Sequence, residues 1–241
     1  MTAAPAAAPT AASPWEDYLD VFISPAQLFR RRADGAFGQA MLVLVVLSAI
    51  LFFGTRPAMQ PVMDAEFNLR VAAQMKAHPE MTAERAESAK QLMTKFAPVG
   101  VIVGLPIALL LFGVAVWLAA KAVGASLSYA QGATIATFAM FPKLVEGVAG
   151  AVQALLMDES NITSRFSVSL GLGRFLDPDT TNGAVLALLG RVDLFTLWIT
   201  VLVAVGLRVM AKVGTGQAVA AGALVWVLGA LPTVLPALLA G

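Results

Sequence analysis

The sequence contains no cysteine, a single histidine and few charged residues. Without cysteine, the chain forms no disulfide, no thiolate metal site and no cysteine nucleophile. One histidine cannot supply a multi-histidine metal site or both axial ligands of a haem, so we expect no metal and no cofactor. The net charge of +1 and the lack of a basic stripe with aromatics exclude electrostatic nucleic-acid binding as a main function.

Charged residues make up 13% of the 241 residues, whereas a soluble domain carries roughly 25%. Hydrophobic residues make up 59%, and uncharged apolar stretches approach or exceed the roughly 20 residues that span a bilayer. The sequence therefore predicts an all-α, polytopic membrane protein whose first partner is the lipid bilayer.

The apolar stretches predict five transmembrane helices, at residues 36–54, 98–120, 130–157, 184–207 and 217–239. These spans, with the loops between them, form a predicted membrane domain at 36–241.

Two segments precede the first predicted span. Residues 1–14 are rich in Ala, Pro, Thr and Ser, and we expect a disordered leader. Residues 15–35 are expected to be a cytoplasmic interfacial segment. Five spans place the termini on opposite sides of the membrane, and the short basic loops on the N-terminal side favour a cytoplasmic N-terminus and an extracytoplasmic C-terminus.

The region between the first two spans is predicted to be an extracytoplasmic helical hairpin at 55–97. Apolar residues recur every four positions from Met63 to Met75, which predicts a helix with one apolar face. Pro79 ends that helix, and Thr82 is a suitable N-cap for a second one. The hairpin either lies on the membrane domain and its interface or is a docking surface for a partner.

Residues 15–32 combine aromatic and basic side chains in the pattern of an interfacial anchor. The predicted anchor residues are Trp15, Phe22, Phe29, Arg30, Arg31 and Arg32. A Ser24–Pro25 step begins a helical turn within this segment. The segment resembles the N-terminal signature of the Yip (Ypt/Rab-interacting protein) membrane domain, in which a Ser-Pro step precedes an aromatic and basic residues.

Two further segments, 169–172 and 192–198, look like the bacterial branch of the same family; their motif residues are Ser169, Gly171, Asp193 and Trp198. The resemblance implies five spans with the N-terminus inside. It also implies membership of a family whose eukaryotic members bind prenylated Rab GTPases in vesicle transport. Bacteria lack the Rab system, and the Ala-, Gly- and Val-rich composition suggests a bacterial inner-membrane protein, so that partner is not carried over.

Four charged residues fall inside the predicted third and fourth spans: Lys143, Glu146, Arg191 and Asp193. A charge at the bilayer centre costs at least about 2.5–3.5 kcal/mol, so these residues are expected to form an intramembrane network. We expect Asp193 to face Lys143, and Arg191 to extend outward or reach Glu146. Pro142 is expected to kink the third span beside the network. The network is either a structural clasp between two helices or a site for an ion, a proton or a polar substrate.

No catalytic motif is present: the spans contain no histidine, and no HExxH, P-loop or dinucleotide fingerprint occurs. We therefore expect no catalytic residues. The first functional hypothesis is a non-catalytic membrane protein of the Yip type that organises or accompanies partner membrane proteins. The alternative is a small transporter or channel component that uses the charged network. Homo-oligomerisation is left open.

Overall fold

The computed structural model describes residues 15–77 and 82–240 of the chain. The regular elements of this part are all helical, so the all-α prediction is confirmed. The α-helices are α1 (Glu16–Ile23), α2 (Pro25–Arg31), α3 (Gly38–Ala77), α4 (Ala83–Val99), α5 (Leu105–Ala122), α6 (Tyr129–Ala139), α7 (Pro142–Leu156), α8 (Gly183–Leu189), α9 (Leu194–Met210) and α10 (Thr215–Ala240). A π-helical turn at Gly100–Gly104 joins α4 to α5. The predicted leader, 1–14, lies outside the described residues.

In the described part, four helical stretches are long and apolar enough to cross a membrane. They are Gly38–Ala72, Glu84–Ala122, Tyr129–Leu156 and Thr215–Leu238. These stretches contain nearly all of the first, second, third and fifth predicted spans, so the polytopic membrane class is confirmed. The helix α9 is apolar but shorter, and the count of five spans stays a prediction.

The prediction of one continuous helix at 184–207 is wrong. The helix α8 ends at Leu189 and α9 begins at Leu194, with a non-helical junction between them. Asp193 is the N-cap of α9, where its Oδ1 accepts hydrogen bonds from the backbone N–H groups of Phe195 and Thr196 at 2.9 and 3.0 Å. A side chain that caps a helix start cannot lie in a helix interior, which is why the span is divided at this residue.

The third predicted span is also interrupted. The helix α6 ends at Ala139, and α7 begins at Pro142 after a turn at Met140 and Phe141. Proline has no backbone N–H, and the first helical position needs none, so Pro142 fits the start of α7. The interruption lies beside the position at which the sequence predicts a kink.

The region 55–97 is helical at 55–77 and 83–97, and both helices are continuous with the neighbouring predicted spans, while the extracytoplasmic hairpin topology stays a prediction. Its first half continues α3, which has 40 residues and a length of about 60 Å, and its second half continues through α4 into α5. The two helices are joined by an ion pair between Lys90 and Asp64 at 2.8 Å. We call residues 57–77 of α3 and 83–95 of α4 the arm. The predicted break at Pro79 lies outside the described residues.

The helices form a bundle with two distinguishable ends. At one end, which we call the base, Gln131 donates to the carbonyl of Ala33 at 2.8 Å and Gln217 donates to that of Val123 at 3.1 Å. The helices α3, α6 and α10 begin at the base, and α5 and α9 end there. The other end, the top, carries the arm and the loop between α7 and α8. The core is formed mainly by α5, α6 and α9.

Candidate functional site: a polar cavity in the bundle

The predicted interfacial anchor forms a compact helical hairpin, α1 and α2, that packs against the bundle. Phe29 is fully buried, and the ring of Phe22 meets that of Trp198 edge-on with centroids 5.5 Å apart. Trp15, in contrast, is 72% exposed. The Ser24–Pro25 step is the turn of the hairpin, and Pro25 occupies the first position of α2. The anchor residue Phe22 therefore lies beside Trp198, a motif residue of the segment 192–198.

Two of the three anchor arginines are bound to carboxylates rather than left free for lipid phosphates. Asp17 is 3% exposed and pairs with Arg31 at 2.8 Å and with Arg32 at 2.6 Å. Arg31 also pairs with Asp20. The hydrogen bond with Asp20, aided by Asp17, raises the pKa of Arg31, so the guanidinium is charged at every physiological pH. Arg30 is exposed.

The four charges predicted to form a network line a single cavity of about 460 Å³. Its walls come from α3, α7, the α8–α9 junction, α10 and the loop at 165–169. The cavity therefore brings Lys143, Glu146, Arg191 and Asp193 into one space. Their pairing within that space differs from the pairing expected from the sequence.

Lys143 pairs with Glu146 on its own helix, with 2.6 Å between Nζ and Oε2. Residues three apart lie on the same face of a helix, which makes this local contact available without help from a neighbour. Asp193 uses its carboxylate for the α9 cap and for a hydrogen bond from the Thr196 hydroxyl. Among the described residues, the expected ion pair between Lys143 and Asp193 does not form, so that expectation is wrong.

Arg191 also differs from its expected position, because it reaches α10 rather than Glu146. Its Nη2 donates to the carbonyl of Trp226 at 3.2 Å, and its guanidinium lies 5.6 Å from the centroid of the Trp226 ring. A Cβ at Gly229 would lie 2.8 Å from Nη2, so the glycine makes room for the cation. Among the described carboxylates, none lies within ion-pair distance of Arg191.

Arg191 lies near the middle of a span. Its partner Trp226 is 11 residues after Thr215 and 14 residues before Ala240, the two ends of α10. At 1.5 Å per residue, the guanidinium is about 17 Å from the base end of that helix. A cation at this depth must face protein or water rather than hydrocarbon, and the cavity provides that surface.

The family-motif residues of the loop and of the α8–α9 junction are neighbours. The backbone of 170–172 pairs with that of 192–194 through two hydrogen bonds, Leu172 N–H to the Val192 carbonyl at 3.0 Å and Leu194 N–H to the Leu170 carbonyl at 3.3 Å. A Cβ at Gly171 would lie 2.5 Å from the Cβ of Asp193, so no larger residue fits there without a shift. Ser169 lies on the cavity wall beside this contact.

Sequence reasoning missed the roles of Trp226 and Thr196. No local spacing connects position 191 with position 226, and only the packing of α8 against α10 brings them together. Thr196 was visible as part of an Asp-x-x-Thr capping pattern at the start of an apolar run, a signal of a helix N-terminus. In the described residues, no group of three or more His, Asp or Glu side chains is placed to hold a metal ion.

The four long apolar helical stretches define a polytopic integral membrane protein. A family model, the Yip1 domain, matches residues 19–235, so the chain belongs to the Yip1 family, as the resemblance of its motifs indicated. This is a family of non-enzymatic membrane proteins that interact with other proteins and with lipid. No curated protein and no solved structure matches the chain.

Proposed function

We propose that this chain is a non-catalytic protein of a bacterial inner membrane that accompanies or organises partner membrane proteins. The observation that carries the proposal is the arm. It lies at the top of the bundle and exposes the large apolar side chains Met75 (45%), Leu92 (57%) and Met93 (51%).

The length of α3 supports an interaction surface outside the hydrocarbon. The helix is about 60 Å long, whereas the hydrocarbon core of a bilayer is about 30 Å thick. About half of α3 therefore extends beyond the core, together with the part of α4 that pairs with it through Lys90 and Asp64. Apolar side chains exposed outside the core favour contact with another protein or with the interface.

The topology that we propose has five crossings. Four of them are the long apolar stretches. The additional one, fourth along the chain, is the pair α8–α9, which crosses as a broken span whose junction lines the cavity. Irregular backbone at membrane depth is tolerated where protein or a water-filled cavity covers it, as it is at this junction. The N-terminal segment, residues 15–35, is then cytoplasmic and interfacial, and the arm and the C-terminus are extracytoplasmic.

Site-specific photo-crosslinking in intact cells tests the partner role. A photoreactive residue replaces Leu92 on the apolar face of the arm or, as the control, Glu87, which is exposed and about 140° away around α4. We expect a crosslinked membrane protein from position 92 and none from position 87. Leu92→Glu should then abolish co-purification of the same protein. Equal products from both positions, or none from either, would contradict the partner role.

A second candidate function is favoured by the cavity: a component of a transporter or channel that binds an ion or a polar solute. The supporting observation is that the charged side chains of α7 and of the α8–α9 junction face one space within the bundle. Flux through proteoliposomes containing the purified chain tests it. Flux that Arg191→Gln abolishes would support this candidate, and flux equal to that of empty liposomes would contradict it.

A further inference from the structure

The charges of the polar cavity do not balance. The charged side chains on its wall are Lys143, Glu146, Arg165, Arg191 and Asp193, and they sum to +1. The exposed Arg165 supplies the excess, since the other four charges balance. Both carboxylates are engaged locally, Glu146 by Lys143 and Asp193 by the cap of α9. Arg191 contacts a carbonyl and an aromatic ring, and Asp193 is close enough to act on it electrostatically, but no described carboxylate lies within ion-pair distance.

The unmet hydrogen-bonding capacity in and beside the cavity belongs mainly to donors. The buried Nε of Arg191 and the buried hydroxyl of Ser169 make no hydrogen bond, and neither does the indole Nε1 of Trp226, against which Arg191 packs. The Ser169 hydroxyl can also accept, and the one carboxylate acceptor in this group, Oε2 of Glu146, is ion-paired with Lys143. The Nε of Arg191, the hydroxyl of Ser169 and the indole N–H of Trp226 therefore all lack an acceptor. An oxyanion would supply acceptors to such donors.

An apolar cleft adjoins the polar cavity. The cleft, of about 410 Å³, lies between α3 and α7. Its wall is mainly apolar, with Leu51, Phe52 and Leu144, and also includes Arg56. It shares Met59, Lys143 and Gly147 with the polar cavity, so the two spaces meet at Lys143. A polar space with an excess cation beside an apolar cleft suits a ligand with an anionic head and a hydrocarbon chain.

From these three observations we propose that the cavity binds a phosphate-type oxyanion with Arg191 as its counter-ion. The adjoining cleft favours the phosphate of a lipid head group, with an acyl chain between α3 and α7. The proposal shares with the second candidate function the premise that the cavity is a ligand site, but it does not require transport. Loss of flux with lipid binding intact would remove only the transport candidate.

Binding to the full-length protein in a non-ionic detergent tests the proposal. The probes are dioleoyl-phosphatidylglycerol, dioleoyl-phosphatidylcholine and inorganic phosphate, each followed by native mass spectrometry and by the shift in melting temperature. We expect phosphatidylglycerol to bind and to stabilise the protein more than phosphatidylcholine, because the choline compensates the phosphate charge. We expect Arg191→Gln to weaken binding of phosphatidylglycerol about tenfold or more, and Arg191→Lys to retain part of it.

Two further variants keep the test decisive. Ser169→Ala removes only one donor and should weaken binding even if Arg191→Gln does not fold. Arg208→Gln removes an exposed cation near the base and should leave binding unchanged. Stabilisation by inorganic phosphate equal to that by phosphatidylglycerol would support the oxyanion site and identify free phosphate as its source. The proposal would be overturned if neither phosphatidylglycerol nor inorganic phosphate binds. It would also be overturned if Arg191→Gln and Arg208→Gln lose affinity for phosphatidylglycerol equally.

Discussion

Two groups of buried charged residues in this protein differ in whether the buried charge has ion-pair partners. In the N-terminal hairpin, Asp17 is almost inaccessible, and both Arg31 and Arg32 neutralise it. In the cavity, Arg191 lies near the middle of a span with no carboxylate of the described residues in ion-pair contact. A buried charge whose partners are complete holds structure together, whereas a buried cation whose partners are incomplete is a candidate for a ligand.

The roles of the N-terminal arginines and of the intramembrane charges differ in part from those expected from the sequence. The arginines before the first span were expected to anchor the segment at the membrane interface. The intramembrane charges were expected to form either a structural clasp or a ligand site. The ion pairs that hold two helices together are instead those of Asp17 with Arg31 and Arg32, between α1 and the end of α2. We call them the clasp. The cation without a carboxylate at ion-pair distance, which suits a phosphate, is instead Arg191.

The largest effect is expected from breaking the clasp. Asp17→Leu leaves Arg31 and Arg32 without their shared partner, and we expect a loss of about 3 kcal/mol in the free energy of unfolding, measured by thermal or denaturant unfolding in detergent. The control is Glu16→Gln, one residue earlier and exposed. Equal stability of the two variants would show that the hairpin does not depend on this clasp.

A smaller loss is expected on the cavity side, where packing rather than charge holds the wall. Gly171→Ala places a methyl group against the Cβ of Asp193, and we expect a loss of about 1–3 kcal/mol. Gly54→Ala is the matched control, because a Cβ at position 54 meets no atom within 4 Å. If the two alanine variants unfold at the same temperature, the close contact between the loop and the α8–α9 junction is not maintained.

The smallest effect concerns pairing within the cavity. A double-mutant cycle of Lys143→Met with Glu146→Leu should give a coupling energy of about 1 kcal/mol, because the two side chains form a partly exposed ion pair. The cycle of Lys143→Met with Asp193→Leu should be additive, since these residues are not partners. A larger coupling in the second cycle would restore the cross-helix clasp expected from the sequence.

Much of the fold was predictable because apolar length and family motifs are local signals. They located four long spans and gave four of the five charged side chains that line the cavity. The fifth, Arg165, lies in a loop and was not predicted. The helix ends were less predictable. The first span was expected to end at Gly54, but α3 continues through Pro57 and Pro61 as far as Ala77.

The pairing of the charges was not predictable from position in a span. Depth alone placed Lys143 opposite Asp193, but short-range partners were available to both: Glu146 one turn away and the backbone N–H groups at the start of α9. The clasp of the hairpin was missed because Asp17 and Arg31 are 14 positions apart and meet only when α1 and α2 fold back on each other. Local propensity does not report such contacts.

Whether Arg191 is a buried cation without an ionic partner is tested by the unfolding free energy of Arg191→Met in lipid-free detergent, compared with that of Asp17→Leu. Replacing a buried charge that lacks an ionic partner by an apolar side chain of similar length is neutral or stabilising, so we predict a loss below about 1 kcal/mol for Arg191→Met. Phosphatidylglycerol should stabilise the parent protein and not this variant. A loss as large as that of Asp17→Leu would show that Arg191 is already fully paired within the protein, and would contradict the account.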